Sequence, residues 1–300
     1  MLMSERKVAF LGLGIMGAPM AANLAREGVE VVAYNRTREK AEALAAEHDN
    51  VSVAGTPAEA AKRAGTAISM VPDIAEVEEV LLGRGGAADG LPEGGLAIDM
   101  STISPTASRS IGERLGEGGV AFLDAPVTGS RPRAEDGSLT IMAGGPEEAY
   151  ERARPLFEAM GSLVVHAGPQ GHGSMIKLIN NTLAAVNAAG LAEGLMLARA
   201  AGLDPQRTLE VVASGSGASA MADLKAQPML SGDFEPLFKL EHMLKDVRHM
   251  ITEARALGVE PRVADTAQKL YAQGAANGLG QSDFAAVIET VGLQSPPNPA

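Results

Sequence analysis

The chain contains no cysteine and no tryptophan among its 300 residues, and aromatic residues make up only 3%. The absence of cysteine excludes disulfides, thiolate nucleophiles and cysteine-ligated zinc or iron–sulfur centres. Basic residues are also in the minority, because 25 Lys and Arg stand against 37 Asp and Glu and leave a net charge of −12. Such a chain offers no general basic surface, so we expect neither nucleic acid nor a membrane as partner. The composition favours a globular protein that acts on small molecules.

Nothing in the sequence indicates export or a membrane span. Residues 1–7 contain no basic segment followed by a long apolar one, so we expect no secretion signal. The most apolar stretch, residues 175–203, is interrupted by charged and amide side chains between Lys177 and Arg199, which argues against a span. The five histidines show no ligand spacing, and we expect no metal. These observations predict a soluble, cytoplasmic protein.

The sequence up to residue 168 alternates short β-rich apolar runs with segments rich in good helix formers. The predicted strands are 8–13, 29–34, 67–71, 96–99, 120–123 and 163–166. The predicted helices are 16–27, 38–47, 58–63, 75–82, 106–115 and 147–160. This alternation predicts an α/β domain over residues 1–168, with a doubly wound parallel sheet covered by helices.

Beyond residue 168 the β-rich runs stop and only helical patterns remain. A single helix is predicted over residues 170–201, about 48 Å long. Further helices are predicted at 205–213, 241–257, 263–276 and 284–291, and residues 294–300 are predicted to lack regular structure. Residues 169–300 are therefore expected to form an all-helical domain that begins with the long helix.

A glycine-rich run follows the first predicted strand and opens the first predicted helix: Gly12-Leu13-Gly14-Ile15-Met16-Gly17. In a G-x-G-x-x-G loop the first glycine permits a tight turn, the second lets a pyrophosphate approach the backbone, and the third allows close helix packing. Glycines also occur in ordinary turns, but the strand before and the helix after predict a dinucleotide-binding loop.

The second predicted strand ends at Asn35-Arg36-Thr37. An NAD site usually has Asp or Glu at this place, where the carboxylate binds the ribose hydroxyls. Here no carboxylate would repel a 2′-phosphate, while Arg36 can pair with it and Asn35 and Thr37 can donate hydrogen bonds. The turn therefore predicts NADP in preference to NAD. The alternative is that Arg36 is a solvated turn residue.

The fifth predicted strand is followed by Asp124-Ala125-Pro126-Val127-Thr128-Gly129-Ser130. Open α/β sheets bind ligands at this edge. The hydroxyls of Thr128 and Ser130, the backbone N–H of Gly129 and the nearby Arg131 and Arg133 suit a small carboxylate. A plain strand-ending turn explains the same residue types equally well.

Lys177 and Asn181 lie four residues apart in the predicted long helix and so share one face. Reduction of a carbonyl leaves negative charge on its oxygen, which an ammonium can stabilise and protonate while an amide fixes the geometry. The pair therefore predicts an acid/base site. The alternative is that Lys177 extends from an amphipathic helix to solvent.

Taken together, these motifs resemble the β-hydroxyacid dehydrogenase family over nearly the whole chain. Besides the runs already quoted, the resemblance rests on Ala18-Pro19-Met20-Ala21-Ala22-Asn23-Leu24, Asp99-Met100-Ser101-Thr102 and Lys245-Asp246. The family includes 3-hydroxyisobutyrate dehydrogenases, tartronate semialdehyde reductases and glyoxylate/succinic semialdehyde reductases. The resemblance implies a Rossmann domain that a long helix joins to an all-helical domain, and a homodimer or homotetramer.

The resemblance also implies residue roles. Lys177 is implied as the catalytic acid/base and Asn181 as a group that positions the substrate or the lysine. The implied contacts to the substrate carboxylate are Thr128, Gly129 and Ser130. The implied cofactor contacts beyond the glycine-rich loop and the 35–37 turn are Met70, Val71, Pro72, Thr102 and Lys245.

Two further features bear on the substrate. Many members carry Ser-Gly-Gly where this chain has Thr128-Gly129-Ser130, so we expect a smaller pocket with a differently oriented first hydroxyl. The continuation 134–139 and the Asn35-Arg36-Thr37 turn are most similar to the NADPH-using glyoxylate/succinic semialdehyde reductases. We therefore expect an NADPH-dependent reductase of small aldehyde acids, with 3-hydroxyisobutyrate dehydrogenase or tartronate semialdehyde reductase activity as alternatives. A non-catalytic NADP-binding module is the alternative of another class, and the presence of Lys177 and Asn181 argues against it.

Overall fold

The computed structural model describes residues 7–291. The tail 294–300, predicted to be irregular, lies outside the described residues. The chain divides into two compact units between Lys177 and Leu178, inside one long helix. The sheet ends earlier, at Gly168, where the sequence analysis placed the domain boundary. The domain boundary itself stays a prediction.

The described part of the first unit, from residue 7 onward, is built from nine strands and the helices that connect them. The strands are β1 (Lys7–Leu11), β2 (Glu30–Tyr34), β3 (Val51–Val53), β4 (Thr66–Ser69), β5 (Leu96–Asp99), β6 (Ala121–Asp124), β7 (Val127–Thr128), β8 (Leu139–Gly144) and β9 (Gly161–Gly168). The helices are α1 (Gly17–Arg26), α2 (Arg38–Glu47), α3 (Pro57–Ala64), α4 (Ile74–Leu82), α5 (Pro105–Glu117), α6 (Ser130–Glu135) and α7 (Glu147–Glu158). The long helix α8 (His172–Ala200) begins in this unit.

The strands lie in the order β3-β2-β1-β4-β5-β6-β8-β7, with β9 beside β8. The first six are parallel to one another, whereas β8 runs antiparallel to β6 and β7. The order of the six parallel strands is that of the doubly wound Rossmann sheet. The predicted fold class is confirmed.

Alternate side chains of the central strands enter two separate cores on opposite faces of the sheet. Val8 and Phe10 of β1 belong to one core, and Ala9 and Leu11 belong to the other. A strand buried on both faces reads as a continuous apolar run, because successive side chains point to opposite faces. This burial explains why the central parallel strands were predictable from the sequence.

The edge of the sheet departs from the prediction of an all-parallel arrangement. Strands β3, β7 and β8 and the helix α6 are not among the elements predicted from the sequence. Strands β3 and β7 contain only three and two residues, which is too short to show a period. The chain reverses after β7 and pairs antiparallel, with Thr128 opposite Thr140. Strand β8 therefore joins the sheet in the opposite direction to β6.

The second unit is helical. After α8 come α9 (Pro205–Ser214), α10 (Ala220–Ser231), α11 (Leu240–Ala256) and α12 (Arg262–Gly274), followed by a π-helical turn (Ala275–Leu279) and a 3₁₀ helix (Phe284–Thr290). Helix α10 lies in the region predicted to be helical but was not among the segments named, and its interior contains Pro228, a residue that normally interrupts helices. The predicted helix at 284–291 is a 3₁₀ helix instead of an α-helix.

Among the described residues, α8 is the one helix long and apolar enough to cross a membrane, with a mean hydropathy of 1.2. Its residues Ala185, Ala188 and Ala192 are fully buried in the core of the second unit. In that core the Tyr271 hydroxyl donates to the Ala185 carbonyl oxygen at 3.1 Å. Core helices of soluble proteins pass the same length and composition test, so the test gives only weak evidence for a span.

Candidate active site

The predicted cofactor and substrate segments of the first unit lie at the carboxyl edge of its sheet. The glycine-rich loop follows β1, the Asn35-Arg36-Thr37 turn follows β2, Met70 to Pro72 follow β4, and Thr102 comes three residues after β5. The Thr128-Gly129-Ser130 segment begins four residues after the end of β6. The connections reverse direction between β1 and β4, and open α/β sheets bind ligands at such a switch point.

The three glycines of the loop have different environments. A Cβ on Gly12 would lie 2.4 Å from the Met70 carbonyl oxygen, and one on Gly17 would lie 2.0 Å from the Gly12 carbonyl oxygen. Gly12 also has a φ of +103°, which side chains rarely adopt. A Cβ on Gly14 would have no described atom within 4 Å. The first and third glycines thus permit close packing, and the second leaves open space beside the backbone.

The Asn35 side chain joins the glycine-rich loop to the following turn. Its Oδ1 accepts from the Leu13 backbone N–H at 2.8 Å, and its Nδ2 donates to the Thr37 carbonyl oxygen at 2.8 Å. These contacts make Asn35 an anchor of the loop, and its predicted hydrogen bond to the 2′-phosphate stays a prediction. Arg36 is exposed and forms no hydrogen bond or ion pair with residues 7–291. Its guanidinium is therefore available to an anion.

The start of helix α1 is also open to an anion. Its N-cap residue Met16 makes no side-chain cap, and of the first backbone N–H groups that of Ala18 donates to the Gly14 carbonyl oxygen at 3.1 Å. Backbone N–H groups in the first turn of a helix lack partners within the helix and carry partial positive charge. Together with the space beside Gly14, this helix start fits a pyrophosphate.

Asp99, which the sequence analysis quoted but gave no role, connects the segments after β4 and β5. Its Oδ1 accepts from the Ser69 and Ser101 hydroxyls, each at 2.7 Å. The Val71 backbone N–H donates in turn to Ser101 Oγ at 2.9 Å. Asp99 is fully buried, and its Oδ2 accepts no hydrogen bond from the described residues. Burial raises the pKa of Asp99 to about 6, although the hydrogen bonds from Ser101 and Ser69 oppose this rise.

Asp124 connects the end of β6 to the start of α8. Its Oδ1 accepts from the Gly171 backbone N–H and from Gln170 Nε2, each at 2.7 Å. Its Oδ2 accepts from the Ser174 backbone N–H at 2.6 Å. Burial raises the pKa of Asp124, while the hydrogen bonds from Gly171 and Ser174 oppose this shift. Lys177, one turn further along α8, is a buried lysine with 8% of its surface exposed.

The Thr128-Gly129-Ser130 segment has an unusual backbone. Gly129 has a φ of +136° and Ser130 a φ of +57°. Ser130 is the one residue other than glycine with positive φ among the described residues. The clash of a Cβ with the backbone makes this conformation costly for every residue except glycine, and such strain clusters at functional sites. The hydroxyl of Ser130 therefore projects from a backbone conformation that glycine would adopt more easily.

In the second unit, Asn181 and Lys245 both contact Asp246. Asn181 Nδ2 donates to Asp246 Oδ2 at 2.7 Å, and Lys245 Nζ lies 3.2 Å from Asp246 Oδ1. Asp246 is fully buried on α11. Lys245 is a predicted cofactor contact, whereas Asp246 was given no role although the adjacent pair was part of the resemblance. No group of His, Asp and Glu in residues 7–291 could hold a metal ion.

Two family models together match nearly all of the chain. Residues 7–168 match the model described as the NAD binding domain of 6-phosphogluconate dehydrogenase. Residues 171–291 match the model described as the NAD-binding domain of NADP-dependent 3-hydroxyisobutyrate dehydrogenase.

Individual relatives are also similar to this chain over most of its length. The chain is 35% identical to the 2-hydroxy-3-oxopropionate reductase of Escherichia coli, covering 96% of this chain and 98% of that protein. It is 34% identical to the chloroplastic glyoxylate/succinic semialdehyde reductase 2 of Arabidopsis thaliana, covering 95% and 79%. The solved structure of the 3-hydroxyisobutyrate dehydrogenase of Mycobacterium tuberculosis with L-serine is 33% identical in sequence and has a TM-score of 0.84, covering 95% of this chain and 98% of that chain.

The raised pKa of Asp99 predicts how stability depends on pH. The folded value of about 6 exceeds the ordinary 3.8, so this carboxyl contributes stability below 3.8 that is lost as pH rises through about 6. An asparagine at this position could keep the acceptor oxygen without a charge. We expect D99N to gain stability relative to the wild type between about pH 4 and about pH 8, by roughly 3 kcal/mol at most.

Urea unfolding at about pH 4 and again at about pH 8 measures how the difference in unfolding free energy between D99N and the wild type changes with pH. The exposed Asp89 provides a matched control through D89N. A gap between D99N and the wild type that stays constant with pH would contradict the pKa assignment.

Proposed function

Because the chain belongs to the β-hydroxyacid dehydrogenase family, whose members are NAD(P)-dependent oxidoreductases, we propose that it is an NADPH-dependent reductase of small aldehyde acids. Glyoxylate and succinic semialdehyde are the proposed substrates, and the reaction is reversible. The observation that carries the proposal is the carboxyl edge of the first unit's sheet. Three features lie along this edge: an open glycine-rich loop, an unpaired Arg36 and the Thr128-Gly129-Ser130 segment. The buried Lys177 lies at the start of α8 in the same unit.

The cofactor would be held by residues along that edge. The glycine-rich loop and the start of α1 would bind the pyrophosphate, and Arg36 would pair with the 2′-phosphate. Met70, Val71, Pro72, Thr102 and Lys245 are the further proposed contacts. When bound, the reduced nicotinamide supplies a hydride to the carbonyl carbon. The absence of a carboxylate at 35–37 and the free guanidinium of Arg36 support NADP over NAD.

Lys177 would supply the proton. Reduction places negative charge on the carbonyl oxygen, and the ammonium of Lys177 stabilises this charge and transfers its proton to give the hydroxy acid. Asn181, four residues further along α8, would orient the same oxygen or the lysine. Its carboxamide is held in turn by the buried Asp246. The Thr128-Gly129-Ser130 segment would bind the carboxylate of the substrate.

Two other activities of the same class share these groups. The Escherichia coli relative is named for 2-hydroxy-3-oxopropionate, which is tartronate semialdehyde, and the Mycobacterium tuberculosis neighbour for 3-hydroxyisobutyrate. The buried Lys177 and the neighbouring Asn181 argue against a module that only binds NADP. A cytoplasmic homodimer or homotetramer remains part of the proposal. The exposed side chains of Leu183 and Leu197 on α8 support self-association.

The cofactor preference is tested by R36A. Loss of a charge-assisted bond to the 2′-phosphate should lower kcat/KM with NADPH, corresponding to a loss of about 1.5 to 3 kcal/mol of transition-state stabilisation. The kcat/KM with NADH should be unchanged. The neighbouring R38A serves as a control, because Arg38 is paired with Glu42. Equal losses with both cofactors would show that Arg36 only maintains the loop.

The acid/base role is tested by K177M, which keeps the apolar stem and removes the ammonium. We expect kcat to fall about 10²- to 10⁴-fold in a folded protein whose affinity for NADPH is nearly unchanged. The exposed Lys269 of α12 provides a control for the loss of one charge through K269M. An intact kcat in folded K177M would eliminate this mechanism.

The carboxylate-binding role of Ser130 is tested by comparing S130A with S130G. Both variants remove the hydroxyl, so the KM for glyoxylate should rise about tenfold in each while kcat is retained. Only glycine relieves the positive φ, so S130G alone should also gain about 1 kcal/mol of stability in urea unfolding. An unchanged KM in both variants would remove Ser130 from the substrate site.

A further inference from the structure

Asp124 lies at a junction between two parts of the proposed site. The chain leaves Asp124 through Ala125 and Pro126 directly into β7 and the Thr128-Gly129-Ser130 segment. The side chain of Asp124 points to a different element, because its carboxylate binds the backbone amides of Gly171 and Ser174 at the start of α8. One residue thus fixes both the strand end and the helix start.

The helix start packs closely against the sheet. A Cβ on Gly173 would lie 2.1 Å from the Met142 carbonyl oxygen and 2.6 Å from that of Asp124. A Cβ on Gly144 would lie 2.7 Å from Asp124 Oδ1. The first turn of α8 is therefore pressed against the ends of β6 and β8 at two places that admit only glycine. Lys177 is one helical turn beyond Gly173.

We infer that Asp124 is a positioning residue of the reaction: it fixes Lys177 relative to the segment that binds the substrate carboxylate. The inference rests on the proposed function. In a small aldehyde acid the covalent structure sets the distance between the carboxylate and the carbonyl. The segment that binds the carboxylate and Lys177, which would meet the carbonyl oxygen, therefore need a matching separation. Misplacement of a reacting group by about 1 Å can cost about 10²-fold in rate.

The chemistry of the junction calls for a carboxylate. Asp124 accepts two hydrogen bonds on Oδ1 and one on Oδ2, and two of the three come from backbone amides. An asparagine has one acceptor oxygen, so its Nδ2 would face an N–H donor on one side. Asparagine is otherwise a good residue at helix starts, and D124N therefore removes the bridging geometry while keeping size and capping ability.

The experiment compares D124N with D204N. Asp204 also binds the start of a helix, but it accepts the Gln206 and Arg207 amides with a single oxygen, which asparagine retains. With succinic semialdehyde we expect kcat of D124N to fall about 10- to 100-fold while the Kd for NADPH is unchanged. D204N should match the wild type in both quantities.

Hydrogen–deuterium exchange on the protein without added cofactor gives a readout that does not depend on turnover. Amides of residues 171–174 should exchange faster in D124N than in the wild type, and D204N should leave them unchanged. A loss of stability alone would lower the folded fraction, which thermal melting measures separately. A folded D124N with wild-type kcat, or with wild-type exchange at 171–174, would overturn the inference.

If D124N does not fold, a milder variant tests whether Asp124 positions Lys177. Q170A removes one donor from Asp124 Oδ1 and leaves both backbone amides in place. We expect kcat to fall about two- to tenfold with an unchanged Kd for NADPH, and an unchanged kcat would overturn the inference. These failures differ from failure of the proposed function, which would appear as no turnover of aldehyde acids by the wild type or as full kcat in K177M.

Discussion

The hydrogen bonds from the Gly171 and Ser174 amides to the Asp124 carboxylate are the interaction on which the candidate site of the first unit depends. A carboxylate removed from water is strongly destabilising unless donors surround it. The amides at the start of a helix equally need acceptors, because they have none within the helix. Each group satisfies the other, and the close contacts of Gly144 and Gly173 make the resulting position of α8 unique.

The neighbouring strand carries a second buried carboxylate in a less favourable setting. Asp99 of β5 lies in register with Asp124 of β6, but its hydrogen bonds come from two serine hydroxyls and one amide, all to Oδ1. Its raised pKa reports the free energy that this burial costs. Ser130, with its positive φ, adds a further cost at the same edge. Unfavourable features concentrated beside proposed binding segments are typical of sites selected for activity over stability.

The glycine-rich loop and the central strands could be predicted from the sequence because their determinants are local. Gly12 and Gly17 are five residues apart in one turn, and burial on both faces gives each central strand its apolar run. The roles of Asp124 and Asp246 could not be predicted in the same way. Asp124 meets Gly171 across 47 residues, and Asp246 meets Asn181 across 65. Only the fold brings such partners together, and a buried carboxylate has no periodic pattern that reveals it.

Lys177 ends the first compact unit, and Asn181 belongs to the second. Each is linked to a buried carboxylate of its own unit, Lys177 through the turn that Asp124 holds and Asn181 by a direct hydrogen bond to Asp246. The two residues lie four positions apart in the sequence of α8. The proposed pair therefore depends on an unbroken helix over Lys177-Leu178-Ile179-Asn180-Asn181, and this run contains no glycine or proline that would interrupt it.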